Sequence, residues 1–481
     1  MKTLLTDFYQ LTMAYGYFCS GMADHEAVFH LSFRHNPFQG GYTICAGIAN
    51  VIEQVKKFRF DKSDIDYLKS LKTDNGKSIF NQAFLNYLQH LKLTVDIEAI
   101  PEGTVVFPHE PLIRVKGPLI QCQILETLLL NCINFPTLIA TKASRICQAA
   151  QGEPVIEFGL RRAQGFDGGL SASRAAYIGG CVGTSNVLAG KYYHIPVMGT
   201  HAHSWVMTFD TEFNAFEHFA NALPENGYFL VDTYHTLDGI KNAIKLNQKY
   251  KKLKGIRLDS GDLAYLSIQA RKMLDKAGLK KVSIMASNDL DEHIIASLKQ
   301  QKAKINVWGV GTKLATAYDQ PALDGVYKLG AIKPQRGEWQ YKLKLSEQNT
   351  KISIPGFLRA RRYYNAQNIA VGDCIYDERQ GITPHNFVTI TDMSDPLHTK
   401  KIPAKYRYKE LLQPIFKKGK CIYETPSIQT MRQNAANELK SFHPAIKRFL
   451  NPHIYPVGLD PALFELRLKL IYSLKHIQRE R

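Results

Sequence analysis

Between residues 154 and 313 the chain repeats one pattern six times: a brief apolar run that stops abruptly at glycine or a polar residue. The run 154–158 leads into Gly159, 195–198 into Gly199, 228–231 into Asp232, 255–258 into Asp259, 282–286 into Ser287, and 305–308 into Gly309. Runs this short and this apolar read as buried strands. Several are followed by helical spacing, as at 263–277 and 290–300. A repeated strand–loop–helix unit builds a parallel sheet, and at this count a β/α barrel is as well served as an open doubly wound sheet. In a barrel, chemistry belongs on the loops that follow the strands.

The flanks have a different texture. Thr6 and Asp7 stand as cap residues before the stripe Leu11, Tyr15 and Phe18, which predicts a short amphipathic helix ended by Gly21. Segments 27–33 and 91–100 alternate as half-buried strands, 51–71 carries helical spacing, and 123–151 reads as a long helix broken at Pro136. Beyond about Gly330 the rhythm gives way to basic, strand-like pieces with turns at Pro355-Gly356 and Gly372-Asp373. The run 461–475 suits a surface helix. Three regions are expected: an α/β region over 1–122, a barrel over 123–330 and a basic C-terminal part over 331–481.

At 45% hydrophobic and 22% charged residues the chain is not a disordered one. Its formal net charge of +18 invites an anionic substrate or a nucleic acid, but +11 of it lies between Lys400 and Arg481. The eight cysteines are scattered without a C-x-x-C pair or zinc-ligand spacing. The most apolar stretch, 124–140, contains Glu126, Asn131, Asn134 and Pro136 and suits no membrane span, while Asp7 and Gln10 interrupt any signal-peptide core. The expectation is a soluble protein of the reducing cytosol.

The residues after the strands form one chemical set. Arg161 and Arg162 lie in a glycine-rich loop suited to a phosphate or carboxylate. Gly199-Thr200-His201-Ala202-His203 carries two histidines at i, i+2, a spacing unsuited to a metal pair on a helix, so a loop histidine reads as nucleophile or acid/base. Arg257, Asp259 and Asp262 offer carboxylates for sugar hydroxyls or Mg²⁺, with Ser260 or Asp262 also suited to capping a helix. Ser287-Asn288-Asp289 reads as a cap. Gly309-Val310-Gly311-Thr312-Lys313 reads as a phosphate cradle late in the series. Together they describe a site for a phosphorylated sugar.

These blocks resemble those of the nicotinate phosphoribosyltransferases. The matching residues are Thr6-Asp7-Phe8-Tyr9-Gln10, Phe33-Arg34 with Pro37 and Gly40-Gly41-Tyr42, the run 158–165, Gly199-Thr200 with Ala202-His203-Ser204, Leu258-Asp259-Ser260-Gly261-Asp262, Ala286-Ser287-Asn288-Asp289, and the run 309–314. The resemblance implies an α/β fold: an irregular β/α barrel with a second α/β, sandwich-like domain built from both chain ends. It also implies a cytoplasmic homodimer with shared active sites. The implied reaction joins nicotinate and phosphoribosyl pyrophosphate to give nicotinate mononucleotide and pyrophosphate, coupled to ATP hydrolysis and assisted by Mg²⁺, in NAD salvage. Carried over residue by residue, Tyr9 would stack on the pyridine from the partner subunit, opposite Phe158. Thr200 and Arg257 would contact nicotinate, Arg161 the pyrophosphate or nicotinate, Asp259 the ribose, and Gly311 and Thr312 the 5-phosphate. His203 would be phosphorylated by ATP; His201 stands where family members more often carry an aliphatic residue. No metal ligands follow from the motifs.

A nicotinamide phosphoribosyltransferase would share the scaffold. Enzymes of that kind carry an Asp where the stretch Gly183-Thr184-Ser185-Asn186 has Ser185, and a neutral Ser185 favours the acid. An RNA-binding or scaffold protein using the basic tail is the rival of another class. The tail lacks recognisable RNA-binding signatures, so no nucleic-acid partner is expected.

Overall fold

A computed structural model describes residues 3–348, 351–382, 386–393 and 395–479. In it the repeated units form a ring. Six parallel strands pair in the spatial order Gly183–Thr184, Val155–Glu157, Val307–Val310, Ser283–Ala286, Gly255–Leu258, Tyr228–Leu230. The last strand of the series thus pairs with the first: Trp308 lies opposite Val155, and the Phe158 amide donates to Val310 O at 2.8 Å. Numbered along the chain the six strands run 2-1-6-5-4-3, a cyclic order in which each strand neighbours its sequence neighbours and the last closes on the first, as in a barrel.

The remaining gap, between Gly183–Thr184 and Tyr228–Leu230, is spanned without a full strand. Val197 makes a single parallel bridge to Thr184. Further along, His201 Nε2 accepts from the Leu230 amide at 3.3 Å, and Asn226 Nδ2 donates to Gly199 O at 3.1 Å. The expected strand at 195–198 is therefore corrected to a bridge. Pro196 has no N–H to give a ladder. Its carbonyl still accepts from Thr184 N at 3.0 Å. The true second strand, Gly183–Thr184, has two residues and no apolar side chain, which is why hydrophobic patterning passed over it. The barrel is irregular at this seam.

Helices follow the strands and begin at residues that also border the strand ends. Asp262 accepts from Tyr265 N at 2.9 Å, Asp291 from Ile294 N at 2.7 Å and Asn186 from Ala189 N at 3.2 Å, each an N-cap. Of the two residues suited to capping there, Asp262 is the cap and Ser260 bonds to Asp232; the cap role expected for Ser287-Asn288-Asp289 is corrected, because Asp291 caps Glu292–Gln300.

The chain divides into two compact units. The barrel unit comprises Leu138–Pro321 with Ile428–Ala436; the other comprises Met1–Thr137, Ala322–Ser427 and Asn437–Arg481, so it is built from both chain ends. In that unit Glu26–Ser32 lies between Ile113–Pro118 and Val326–Lys333, antiparallel to both, within a seven-stranded sheet. A second, six-stranded sheet contains Leu358–Tyr364, Ala370–Asp377 and Val457–Leu459. The first helix, Phe8–Cys19, packs Leu11 and Ala14 with Ile65, Leu68, Phe84 and Leu88. The predicted helix over 51–71 is two helices, Ile48–Lys56 and Lys62–Ser70, because Asp61 and Asp64 form a reciprocal capping box that starts the second. The C-terminal helix, Pro461–Arg479, buries Leu463 and Phe464 on one face.

Pro136 does not break its helix, which runs from Glu126 to Ala149. Proline removes the amide that would bond the carbonyl four residues earlier, here Cys132. Gly47, at φ +105°, approaches that carbonyl so closely that a Cβ on it would lie 2.0 Å from Cys132 O. The stretch Leu119–Ala149 is long and apolar enough to cross a membrane by length and composition. More than half of that apolar window is buried inside the protein, with Leu125, Leu129, Ile133, Ile139 and Ile146 in the core.

Candidate active site

Arg257 is the most constrained of the residues after the barrel strands. It is the penultimate residue of the Gly255–Leu258 strand. Its Nε donates to Ser287 Oγ at 2.9 Å, Nη1 to Thr200 Oγ1 at 3.1 Å and to His201 O at 3.5 Å, and Nη2 lies 3.3 Å from Asp259 Oδ1. Its guanidinium carbon is 5.8 Å from the centre of the Phe158 ring. Residues after three strands, with Thr200 and His201 after the Val197 bridge, thus hold one planar cation beside one aromatic face.

Phe158 owes its place to two glycines. A Cβ at Gly309 would lie 2.7 Å from two atoms of the ring, and one at Gly159 would lie 2.2 Å from Ala315 Cβ. Beneath this loop Glu157 is buried and accepts from Gly159 N, from Ser173 Oγ at 2.9 Å and from Thr184 Oγ1 at 2.5 Å. Its carbonyl accepts from Ser185 N at 2.9 Å. Ser185 is half-buried beside that network, while Arg161 and Arg162 are exposed on the turn Leu160–Arg162 and their side chains make no hydrogen bond or ion pair among the described residues.

Asp259 joins two groups of residues. Its Oδ1 accepts from Ser287 Oγ and faces Arg257, while its Oδ2 lies 3.6 Å from His203 Nε2. On its other side the His203 ring is held by Thr233, with Nδ1 3.2 Å from Oγ1. Asp232 supports the turn from below: its Oδ2 accepts from Asp259 N at 2.9 Å and Ser260 Oγ at 2.5 Å. His203 is accessible, with 41% of its side chain exposed.

The two histidines of the motif differ sharply. His201 is buried, stacks edge-on against Phe219 at 4.8 Å and neighbours Phe216 and Phe229. Burial, with the nearby Arg257 and His203 charges, pushes its pKa down to about 4. A neutral imidazole whose Nε2 accepts a backbone N–H is a packing and seam-closing group. His201 is thus packed among phenylalanines and is not the accessible histidine of the motif.

Gly311 and Thr312 open the short helix Thr312–Ala315 after the last barrel strand, and Gly311 O accepts from Leu314 and Ala315 amides. The neighbouring Lys313 is engaged by Asp291 at 2.7 Å, which raises its pKa. Tyr9 belongs to the other compact unit; it sits on helix Phe8–Cys19 with its ring about half exposed, next to exposed Phe8. The barrel unit brings together Phe158, Thr200, His203, Arg257 and Asp259. Glu157, Asp232, Thr233 and Ser287 join the site without a motif of their own in the sequence. Polar residues beside a predicted strand end were the available signal.

Three family models match the chain: the nicotinate phosphoribosyltransferase N-terminal domain over residues 4–134, the nicotinate phosphoribosyltransferase family over 154–338 and the corresponding C-terminal domain over 359–467. The last spans most of the basic tail. The nicotinate phosphoribosyltransferase of Bacillus subtilis is 42% identical, covering 98% of this chain and 96% of its own. That of Homo sapiens is 32% identical over 96% and 95% of the two chains. The crystal structure of the human nicotinic acid phosphoribosyltransferase superposes with a TM-score of 0.83 at 30% identity, covering 97% of this chain and all of that one. Fold and matches together define an enzyme, a phosphoribosyltransferase built on a β/α barrel with a second α/β domain. The chain belongs to the nicotinate phosphoribosyltransferase family.

Proposed function

We propose that this chain makes nicotinate mononucleotide and pyrophosphate from nicotinate and phosphoribosyl pyrophosphate, coupled to ATP hydrolysis, as an entry to NAD. The observation that carries the reading is the fixed Arg257 guanidinium beside Phe158. A planar cation next to an aromatic face suits a planar aromatic acid. Thr200 and neutral Ser185 complete a pocket for a carboxylate rather than an amide.

In the transfer, the bond from ribose C1 to pyrophosphate breaks and the pyridine nitrogen bonds to C1. Charge develops on the sugar and on the leaving group, so rate comes from positioning the nitrogen and stabilising the pyrophosphate. Phe158 supplies one face of the ring clamp and Tyr9 of a partner subunit the other. Asp259 accepts from the ribose hydroxyls, Gly311 and Thr312 hold the 5-phosphate, and exposed Arg161 meets the pyrophosphate or the nicotinate. Among the described residues no cluster of three His, Cys, Asp or Glu side chains is spaced for a metal ion. Mg²⁺ carried by phosphoribosyl pyrophosphate would supply neutralisation of leaving-group charge.

His203 takes the phosphoryl group of ATP. Asp259 favours the tautomer with its proton on Nε2; Nδ1 then accepts from the Thr233 hydroxyl, which orients the ring until the Nδ1 lone pair attacks the γ-phosphorus and ADP leaves. Hydrolysis of the phosphohistidine returns phosphate. A homodimer in the cytoplasm completes the reading, and eight unpaired cysteines agree with a reducing compartment. The test is trapping: with γ-labelled ATP the wild type is expected to carry an acid-labile, base-stable label that His203→Ala lacks. A label that survives in His203→Ala contradicts the assignment.

A further inference from the structure

We infer that Ser287 is a positioning residue that couples the pyridine subsite to the ribose subsite and sets the preference for an acid; this rests on the roles proposed above for Arg257 and Asp259. Ser287 follows the Ser283–Ala286 strand, is 5% exposed, and its amide donates to Leu258 O at 2.9 Å. The backbone turns away immediately after it, with Asn288 at φ +93° and Asp289 at +40°, so the side chain is held at the strand end.

Its single hydroxyl serves both neighbours, and their chemistry fixes the direction of each bond. An ionised carboxylate only accepts, so the hydroxyl proton goes to Asp259 Oδ1. A guanidinium only donates, so Arg257 Nε–H takes a lone pair of the same oxygen at 2.9 Å. The other arginine contacts, to Thr200, His201 O and Asp259, are longer, at 3.1 to 3.5 Å. Ser287 is therefore the closest restraint on the guanidinium plane, and it transmits the position of Asp259 to that plane. When ribose hydroxyls orient Asp259, the same hydroxyl orients Arg257.

Threonine and valine at this position have the same shape and differ only in the hydroxyl. Gly309 has no side chain, which leaves the neighbouring face of Ser287 Cβ without one to clash with an added methyl; a Cβ built on Gly309 would lie 3.5 Å from Ser287 Cβ. The experiment compares wild type, Ser287→Thr, Ser287→Val and Ser287→Ala, measuring kcat/KM for nicotinate and nicotinamide and KM for phosphoribosyl pyrophosphate. Val and Ala are expected to lose roughly ten- to a hundredfold of the nicotinate-over-nicotinamide ratio and to raise KM for phosphoribosyl pyrophosphate, and Thr to keep the wild-type ratio. Ala adds no bulk, so agreement between Ala and Val separates loss of the hydroxyl from misfolding. Val and Ala with the ratio of Thr, or a fall for both pyridines alike, overturns the inference while leaving the proposed function standing. A wild type that transfers no phosphoribosyl group to nicotinate overturns the function itself, and the inference with it.

Discussion

His203 Nε2 lies 3.6 Å from Asp259 Oδ2, and the other carboxylate oxygen of Asp259 faces Arg257. One carboxylate thus stands between the histidine proposed for ATP coupling and the arginine proposed for the pyridine. Coupling and transfer share a residue without sharing their reactive groups. His203→Ala is accordingly expected to lose ATP stimulation while retaining slow transfer from phosphoribosyl pyrophosphate. Product formation with and without ATP checks this, and full ATP stimulation in the variant counts against it.

The two histidines two residues apart were equivalent in the sequence and are not equivalent in the fold. No periodicity distinguishes them; what separates them is the Phe216, Phe219 and Phe229 pocket around His201, assembled from a helix and a strand later in the chain. The strand ends carrying Arg257, Asp259 and Gly311 were legible because buried strands are apolar and their polar ends stand out. Gly183–Thr184 and the Glu157 network were not, since a two-residue strand and a buried carboxylate satisfied by Ser173 and Thr184 leave no local pattern. Ring closure between 197 and 230 rests on the His201 and Asn226 side chains, which no backbone propensity encodes.

Stability should fall in acid through His201. Its folded pKa, about 4, lies below the ordinary value of 6.5, so the unfolded chain binds the extra proton between those values. Stability from this group is full above pH 6.5 and is lost as pH falls toward 4, by up to about 3 kcal/mol. Urea unfolding of wild type and His201→Gln at pH 7 and pH 4.5 tests it. The wild type should lose more stability than the variant over that interval.

Gly309→Ala should act on the pyridine and spare the fold. Its Cβ would sit 2.7 Å from the Phe158 ring, so the ring must move from its place near Arg257. A rise in KM for nicotinate of roughly tenfold or more is expected, in line with losing an aromatic contact of about 0.5–1.5 kcal/mol together with part of the area it buries. Steady-state kinetics with each substrate varied in turn would show a smaller change for phosphoribosyl pyrophosphate.

Tyr9 should act in trans. Tyr9 and Phe8 present about half of their rings on the first helix, an apolar surface available to a second copy. Subunits carrying Tyr9→Ala and subunits carrying Arg257→Ala are each expected to be inactive alone. Mixed after subunit exchange, they should regain activity, because one site per mixed dimer has both residues intact. No recovery after verified exchange would place Tyr9 elsewhere.

The central claim is that the site selects a pyridine acid and couples its transfer to ATP. Product analysis with nicotinate, nicotinamide or quinolinate, each offered with phosphoribosyl pyrophosphate in the presence and absence of ATP, measures it directly. The predicted result is nicotinate mononucleotide as the dominant product, formed faster with ATP and accompanied by ADP. Preferential conversion of nicotinamide, or release of carbon dioxide from quinolinate, would contradict it.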